Sequence, residues 1–372
     1  MPEIPTTFYA EQNHAMNNES CNVSGLSPCS RIILLKPVAA ESVSNICPQW
    51  RALLQARKDI QVDPDAPPLD YKESTGFPVP VPFVWKTEIP PPYCLDISTD
   101  SAFQAGQIFR SFCTTGCCAD VYNLETGRNY YWRVTAGGCV SQTGHFITAN
   151  DAIRQVMVAP SGPVNTRDWG GKAIRGGGRT RQGAIYRGSM MHEPFALTDE
   201  ARKVLVDELG IRTELDLRYN EEVAFTGTTE SPVGQSVNWL HCPINAYNCF
   251  LPENHDVQFP IWRGALQTFA DKANFPIYVH CWGGADRTGE VALLLDFLLD
   301  VDEEQAFLDY EFSSLANMPR PRSIGYLQEW LANLESYAPA QPRMNQAENW
   351  MRALGLTKHE ISEIRDNLTE RP

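Results

Sequence analysis

One passage limits what this chain can become: His280-Cys281-Trp282-Gly283-Gly284-Ala285-Asp286-Arg287-Thr288-Gly289. Ahead of it, Phe275-Pro276-Ile277-Tyr278-Val279 is short, apolar and rich in β-branched and aromatic side chains, the pattern of a strand. Behind it, the stretch from Glu290 to Leu299 reads as a buried helix. A strand must therefore pass to a helix through a glycine-bearing loop. The first turn of a helix leaves N–H groups without partners, and a tight loop can turn more of them inward, so the passage predicts a nest of donors suited to a phosphate dianion. Cys281 would stand at its mouth, where those donors, the helix N-terminus and Arg287 favour thiolate over thiol; it reads as a nucleophile. Arg287, six residues on, can curl back and grip two phosphate oxygens with a planar fork that Lys lacks.

Cys-x5-Arg alone is a weak signal, because a chain with 11 cysteines meets that spacing readily by chance. The context raises it: His280 before the cysteine, Gly283 and Gly284 inside, Thr288-Gly289 after the arginine, with strand and helix on the correct sides. The ten residues resemble the signature loop of cysteine-based protein tyrosine phosphatases. The Asp-Arg-Thr-Gly ending is similar to the bacterial tyrosine/serine phosphatase family, some of whose members also accept phosphoinositides. The resemblance implies a covalent phosphocysteine intermediate, no metal or other cofactor, and a substrate cradle formed by Trp282, Gly283, Gly284, Ala285, Asp286 and Arg287. It gives Thr288 the task of donating to the Cys281 sulfur, and His280 and Gly289 supporting places. Asn165-Thr166-Arg167-Asp168-Trp169-Gly170-Gly171, Tyr186-Arg187-Gly188-Ser189 and Asp216-Leu217-Arg218 also resemble family segments. They place Arg167, Asp168 and Arg218 as supports of the site. Asp309-Tyr310-Glu311 resembles another, with no chemical role assigned.

The general acid is not fixed by this pattern. A loop-borne Asp is expected ahead of the cysteine, yet Asn245 stands where relatives would carry it after Pro243-Ile244. Asp256 ranks first, with Glu253 beside it and Asp286 as the option inside the loop. Many relatives also carry Lys where this chain has Ala285, which argues for phosphotyrosine or another monoester over a highly phosphorylated inositol. Phosphoinositide or inositol-phosphate hydrolysis, a catalytically weak phosphate-binding protein, and a rhodanese-like sulfurtransferase remain the competing readings. The last has a shorter loop without the His-Cys and Arg-Thr-Gly frame.

A net charge of −14 argues against nucleic acid or an anionic membrane surface as a standing partner, so an anionic substrate needs a locally positive site. No apolar run approaches membrane-spanning length, which predicts no stable membrane insertion. The first residues lack the basic start and apolar core of a secretory signal. The other cysteines show no obvious partner set, and Cys113, Cys117 and Cys118 lack histidines at zinc spacing. Together these predict a cytoplasmic protein with its thiols reduced.

The 372 residues suffice for two cores. Residues 1–30 are polar and aperiodic and read as a flexible lead-in. From 31 to 160, short strands separated by turns predict an all-β sandwich. Leu124-Glu125-Thr126-Gly127-Arg128-Asn129-Tyr130-Tyr131-Trp132-Arg133-Val134 resembles the tyrosine-corner turn and strand of fibronectin type III modules, with Tyr130, Trp132 and Val134 on one face. A protein partner for this sandwich is expected. Arg51-Ala52-Leu53-Leu54-Gln55 reads as a helical insertion. From 161 to 372, alternating helices and strands predict an α/β phosphatase-like domain with a mostly parallel sheet flanked by helices, the site lying at strand C-terminal ends.

Overall fold

The computed structural model of the chain describes residues 31–38, 42–57, 76–158, 162–315 and 322–371. The proposed lead-in of residues 1–30 lies outside them. Two compact units emerge, one drawing on residues up to Asn45 and on Val79–Asp151, the other on Ile46–Pro78 and the chain from Ala152 onward.

The first unit has two sheets. β1 (Ile32–Lys36), β3 (Val81–Thr87) and β6 (Cys118–Val121) form an antiparallel three-stranded sheet in the order β1-β3-β6. The second sheet runs β2 (Ser42–Val43), β9 (Gly144–Thr148), β7 (Asn129–Ala136), β4 (Tyr93–Ser98), β5 (Ile108–Thr114), with β8 (Cys139–Val140) paired to β7. Only the β2–β9 pair is parallel. Alternation decides which side chains fill the core: Tyr130, Trp132 and Val134 of β7 are fully buried and pack with Leu95 and Ile97 of β4 and with Phe83 and Trp85 of β3. Phe83 meets the Trp132 ring edge-on at 5.1 Å. The Glu125 N–H donates to the Tyr130 hydroxyl at 3.0 Å, tying the turn to the strand that follows it.

The cysteines depart from expectation here. Cys94 of β4 and Cys113 of β5 are directly opposite in the antiparallel register, Cα atoms 4.2 Å apart, and form a disulfide. Their separation of 19 residues carries no sequence signal, since only strand pairing brings them together. Cysteine usage therefore lends no support to a reducing compartment.

The second unit begins with α1 (Pro48–Arg57), whose Trp50 and Leu54 pack with Ile153, Leu308, Phe312 and Leu315. Its sheet is ordered β10 (Arg154–Gln155), β11 (Arg167–Asp168), β13 (Ile185–Gly188), β16 (Ile277–His280), β14 (Thr213–Asp216), β15 (Asn238–His241). β12 (Arg179–Thr180) pairs elsewhere, with β17 (Thr369–Glu370). The four strands from β13 to β15 are parallel, but β10 and β11 join antiparallel, so the sheet is mixed where a mostly parallel one was expected. The added strands are two residues each, too short to show a period. Around the sheet lie α2 (Asp199–Lys203), α3 (Asn220–Thr226), α4 (His255–Gln267), α5 (Arg287–Leu298), α6 (Glu303–Phe312), α7 (Gln328–Glu335), α8 (Arg343–Ala353) and α9 (Lys358–Leu368). α5 is buried along its whole length, matching a sequence without a polar face. The capping box of Thr357 and Glu360 opens α9. Among the described residues no helix is long and apolar enough to cross a membrane.

Tyr130→Phe should lower stability by about 1 kcal/mol, because the buried ring keeps its packing while the Glu125 N–H loses its acceptor. Urea unfolding monitored by tryptophan fluorescence checks this; an unchanged midpoint would remove the hydroxyl from the account of the turn.

Candidate active site

β16 ends at His280 in the interior of the second unit, and α5 begins at Arg287. The six residues between must reverse direction tightly. Gly284 does so with φ +68°, and a Cβ there would collide with the carbonyl oxygen of Gly188 at the end of β13. Gly289 is required one turn into α5, where a Cβ would come within 2.9 Å of the Tyr310 ring.

The loop's carbonyls are taken up from outside, one after another. His280 O accepts from Leu217 N–H at 2.8 Å and Cys281 O from His280 Nδ1 at 3.0 Å. Trp282 O accepts from Met190 N–H at 2.9 Å, Gly283 O from Asn165 Nδ2 at 3.1 Å, and Gly284 O from Arg187 Nη2 at 2.9 Å. In a planar trans peptide the C=O and the next N–H point in opposite directions. Fixing the carbonyls of Cys281 through Gly284 outward therefore turns the N–H groups of Trp282 through Ala285 toward the concave side. The arrangement is a donor nest at a helix N-terminus, the geometry that binds an oxyanion.

Cys281 is 2% exposed. Burial alone pushes its thiol up, but the charge of Arg287 and the Thr288 hydroxyl and N–H more than reverse this, holding it below the ordinary value. Thr288 Oγ1 is buried without a hydrogen-bond partner among the described residues, so its help to the sulfur is that of a nearby dipole. Arg287 is clamped by Glu222, Nη1 to Oε2 at 2.5 Å and Nη2 to Oε1 at 3.0 Å, and lies 4.2 Å over the Tyr219 ring. Glu222 also accepts the Tyr219 N–H at 2.7 Å, so the N-terminus of α3 and the arginine share one carboxylate.

The supports lie beneath. His280 Nε2 contacts Glu214 Oε1 at 2.8 Å, and its Nδ1 lies 3.8 Å from Asp216. Burial disfavours the charged ring, but these two carboxylates outweigh it and raise His280, whose two nitrogens face the Cys281 carbonyl and the Glu214 carboxylate. Glu214, Asp216 and His280 have metal-ligating atoms within 4.8 Å of one another, but the His280 ring is committed to Cys281 O and Glu214. Asp216 is held by Arg218 through Nε and Nη2. Arg167 donates to Asp309 Oδ1 at 2.5 Å and to Asn165 Oδ1 at 2.5 Å; Asp168 accepts from Arg154, Gly170 N–H and Gly183 N–H.

The candidate acids separate. Asp286 sits in the loop, accepting from Tyr247 Oη at 2.6 Å and from Arg322 Nε and Nη2 at 2.7 Å. Asp256 is exposed in the first turn of α4 and Glu253 is exposed just before it; among the described residues neither makes a hydrogen bond or ion pair with the loop. Sequence reasoning missed Glu290, buried in the first turn of α5, which accepts the Tyr247 N–H at 3.0 Å. Burial pushes it up to about 8, so it is mostly a neutral carboxylic acid at pH 7. It also left Asn165, Glu222 and Arg322 without roles. An acid inside the otherwise apolar α5 was the one local signal available for Glu290; the others depend on contacts across 36 to 118 residues.

Iodoacetamide alkylation of Cys281 should show an inflection below the ordinary thiol value of about 8.5, and Arg287→Gln should move it upward. The sign follows from the thiolate losing its facing cation. An inflection at the ordinary value in the unaltered protein would refute the stabilised thiolate.

Residues 158–370 match the tyrosine phosphatase family. A Cupriavidus necator protein that carries a provisional tyrosine-protein phosphatase name is 30% identical over 175 residues, covering 41% of this chain and 61% of the relative, so the chain spans about three-fifths of that relative's length. Among solved structures, the core catalytic domain of the PP-IP phosphatase SIW14 from S. cerevisiae is 21% identical with TM-score 0.26, covering 40% of this chain and 80% of that one. TpbA of P. aeruginosa, in complex with pTyr, is 18% identical with TM-score 0.23, covering 35% and 68%. Since the family match takes in more than half of the 372 residues, the chain belongs to the tyrosine phosphatase family.

Proposed function

We propose that the chain hydrolyses phosphotyrosine in proteins through a phosphocysteine on Cys281. The observation that carries this reading is the lowered Cys281 thiol at the base of a loop whose carbonyls from Cys281 to Gly284 are engaged away from the concave side, with Arg287 held by Glu222. The thiolate attacks phosphorus, the bond to the leaving oxygen breaks, and an acid protonates that oxygen. Water then attacks the phosphocysteine, passing a proton to the carboxylate that the acid became in the first step, the S–P bond breaks, and inorganic phosphate leaves as Cys281 returns to thiolate. The amides and Arg287 balance the charge spread over the equatorial oxygens.

For the acid, position favours Asp286 over Asp256, because it is one residue from Arg287 and partly exposed, while among the described residues Asp256 makes no hydrogen bond or ion pair with the loop. For the substrate, Ala285 supplies no cation within the loop, and Arg322 is already committed to Asp286. A single phosphoryl group on an aromatic alcohol fits this better than a polyphosphorylated ring. Of the stretch expected as one module over 31 to 160, the residues up to Asn45 and Val79–Asp151 we read as a fibronectin type III-like module that docks a protein partner, and Ile46–Pro78 with the chain from Ala152 onward as the catalytic domain. The hydrogen bond from Glu125 N–H to the Tyr130 hydroxyl, the arrangement of a tyrosine corner, supports the first of these.

A panel of phosphotyrosyl peptides, phosphoinositides and inositol phosphates should show hydrolysis of the peptides by the unaltered protein and none by Cys281→Ser. Preference for inositol phosphates would overturn the substrate, and activity surviving in Cys281→Ser would overturn the mechanism. Asp286→Asn should slow aryl phosphates with poor leaving groups about a hundredfold and p-nitrophenyl phosphate much less. Asp256→Asn should match the unaltered protein; the reverse pattern would return the role to Asp256.

A further inference from the structure

We propose that Asn165 is a positioning residue that sets the orientation of the Gly283–Gly284 peptide and thereby the anion affinity of the loop. The inference rests on reading residues 281–287 as the phosphate site. Asn165 is buried, and it holds φ +61°, a left-handed conformation that non-glycine side chains rarely adopt. That conformation aims its amide at the outside of the loop, where Nδ2 donates to Gly283 O at 3.1 Å and to Ser313 Oγ at 3.1 Å.

The amide could in principle be turned over, presenting Oδ1 to the Gly283 carbonyl and repelling it. Arg167 prevents this by donating from Nη1 to Asn165 Oδ1 at 2.5 Å and to Asn165 O at 2.9 Å. Arg167 is itself fully buried and anchored on Asp309 through Nε to Oδ1 at 2.5 Å and Nη2 to the carbonyl at 2.8 Å. The other carboxylate oxygen of Asp309 binds Arg187 Nη1 at 2.6 Å, and Arg187 Nη2 captures Gly284 O. One carboxylate thus orients two donors that hold consecutive loop carbonyls outward.

The consequence concerns glycine's freedom. Gly283 and Gly284 have no Cβ to resist a peptide flip. If the Gly283 carbonyl turned inward, it would replace the Gly284 N–H in the cradle with an oxygen facing the phosphate. The Asn165 amide, locked by Arg167, is what opposes that rotation at this peptide. Its task is separable from chemistry: it touches neither the sulfur nor the place of the substrate.

The test uses two variants of the full chain. Asn165→Asp keeps the shape, the backbone preference and the Arg167 contact but cannot donate to Gly283 O. Asn165→Gly tolerates the same φ, adds no charge, and also lacks the donor. Inorganic phosphate binding is measured by calorimetry, alongside the pH profile of Cys281 alkylation and the thermal midpoint. Both variants should bind phosphate about tenfold more weakly and lose about a hundredfold in kcat on p-nitrophenyl phosphate, the scale of one oxyanion donor, with the alkylation inflection raised and a cooperative thermal transition retained. Weakening in Asn165→Asp alone would mark an effect of added charge and overturn the proposal. So would phosphate affinity and alkylation profiles equal to the unaltered protein in both variants. Failure of the unaltered protein itself to bind phosphate would instead overturn the functional reading, and this inference with it.

Discussion

A trans peptide cannot point its N–H and its C=O the same way, and the site of this protein follows from that constraint. To gather amide hydrogens on one side of a short loop, the chain must find donors for the displaced oxygens on the other. It recruits them from five directions: the residue after β14, the segment after β13, the ring of His280, the amide of Asn165 and the guanidinium of Arg187. The parallel register places β13, β16 and β14 side by side so that these donors reach the loop together.

Such an arrangement needs charge in the interior. Arg167, Arg187 and Lys172 are buried with Asp309 and Asp296, and His280 and Arg218 with Glu214 and Asp216. Buried ion pairs gain little net stability, since desolvation offsets most of the attraction, whereas removing one partner leaves an uncompensated charge. Their value here is geometric: the pairs of Arg167 and Arg187 with Asp309 and of His280 with Glu214 fix side chains that donate to a loop carbonyl or orient the group that does. The same logic extends to Arg287, which arrives at the cradle already bound to Glu222 and stacked on Tyr219. Pre-ordering of this kind lowers the reorganisation needed when charge develops on phosphorus.

What the sequence made legible was the local part. A strand, a glycine-bearing turn and an apolar helix in succession disclosed where Cys281 and Arg287 would lie, because those patterns depend on neighbours a few residues apart. The alternation around Tyr130, Trp132 and Val134 was legible for the same reason. Less legible was everything set by distant contact. Asn165 reaches Gly283 across 118 residues, and Glu222 reaches Arg287 across 65. β10 and β11 are too short to declare themselves, and their antiparallel addition made the sheet mixed. Cys94 and Cys113 became partners only through strand register. Asp286 stood in plain sight, but its ties to Tyr247 and Arg322 were invisible.

α1 illustrates a different lesson about where a folding unit starts. The helix was expected from its residues, yet it falls in sequence between two strands of the first unit while its Trp50 lies edge-on to Phe312 at 5.1 Å, in the same unit as the Cys281 loop. Gln155 reinforces the attachment by accepting the Cys47 N–H and donating to Gly76 O. A fragment cut at Ala152 to isolate the second unit would strip this helix from Ile153, Leu308, Phe312 and Leu315. Leu308, Phe312 and Leu315 flank Asp309 and Ser313 along α6 and its extension, so trimming the apparent appendage would expose to water the flank of the helix on which the loop's own braces are mounted.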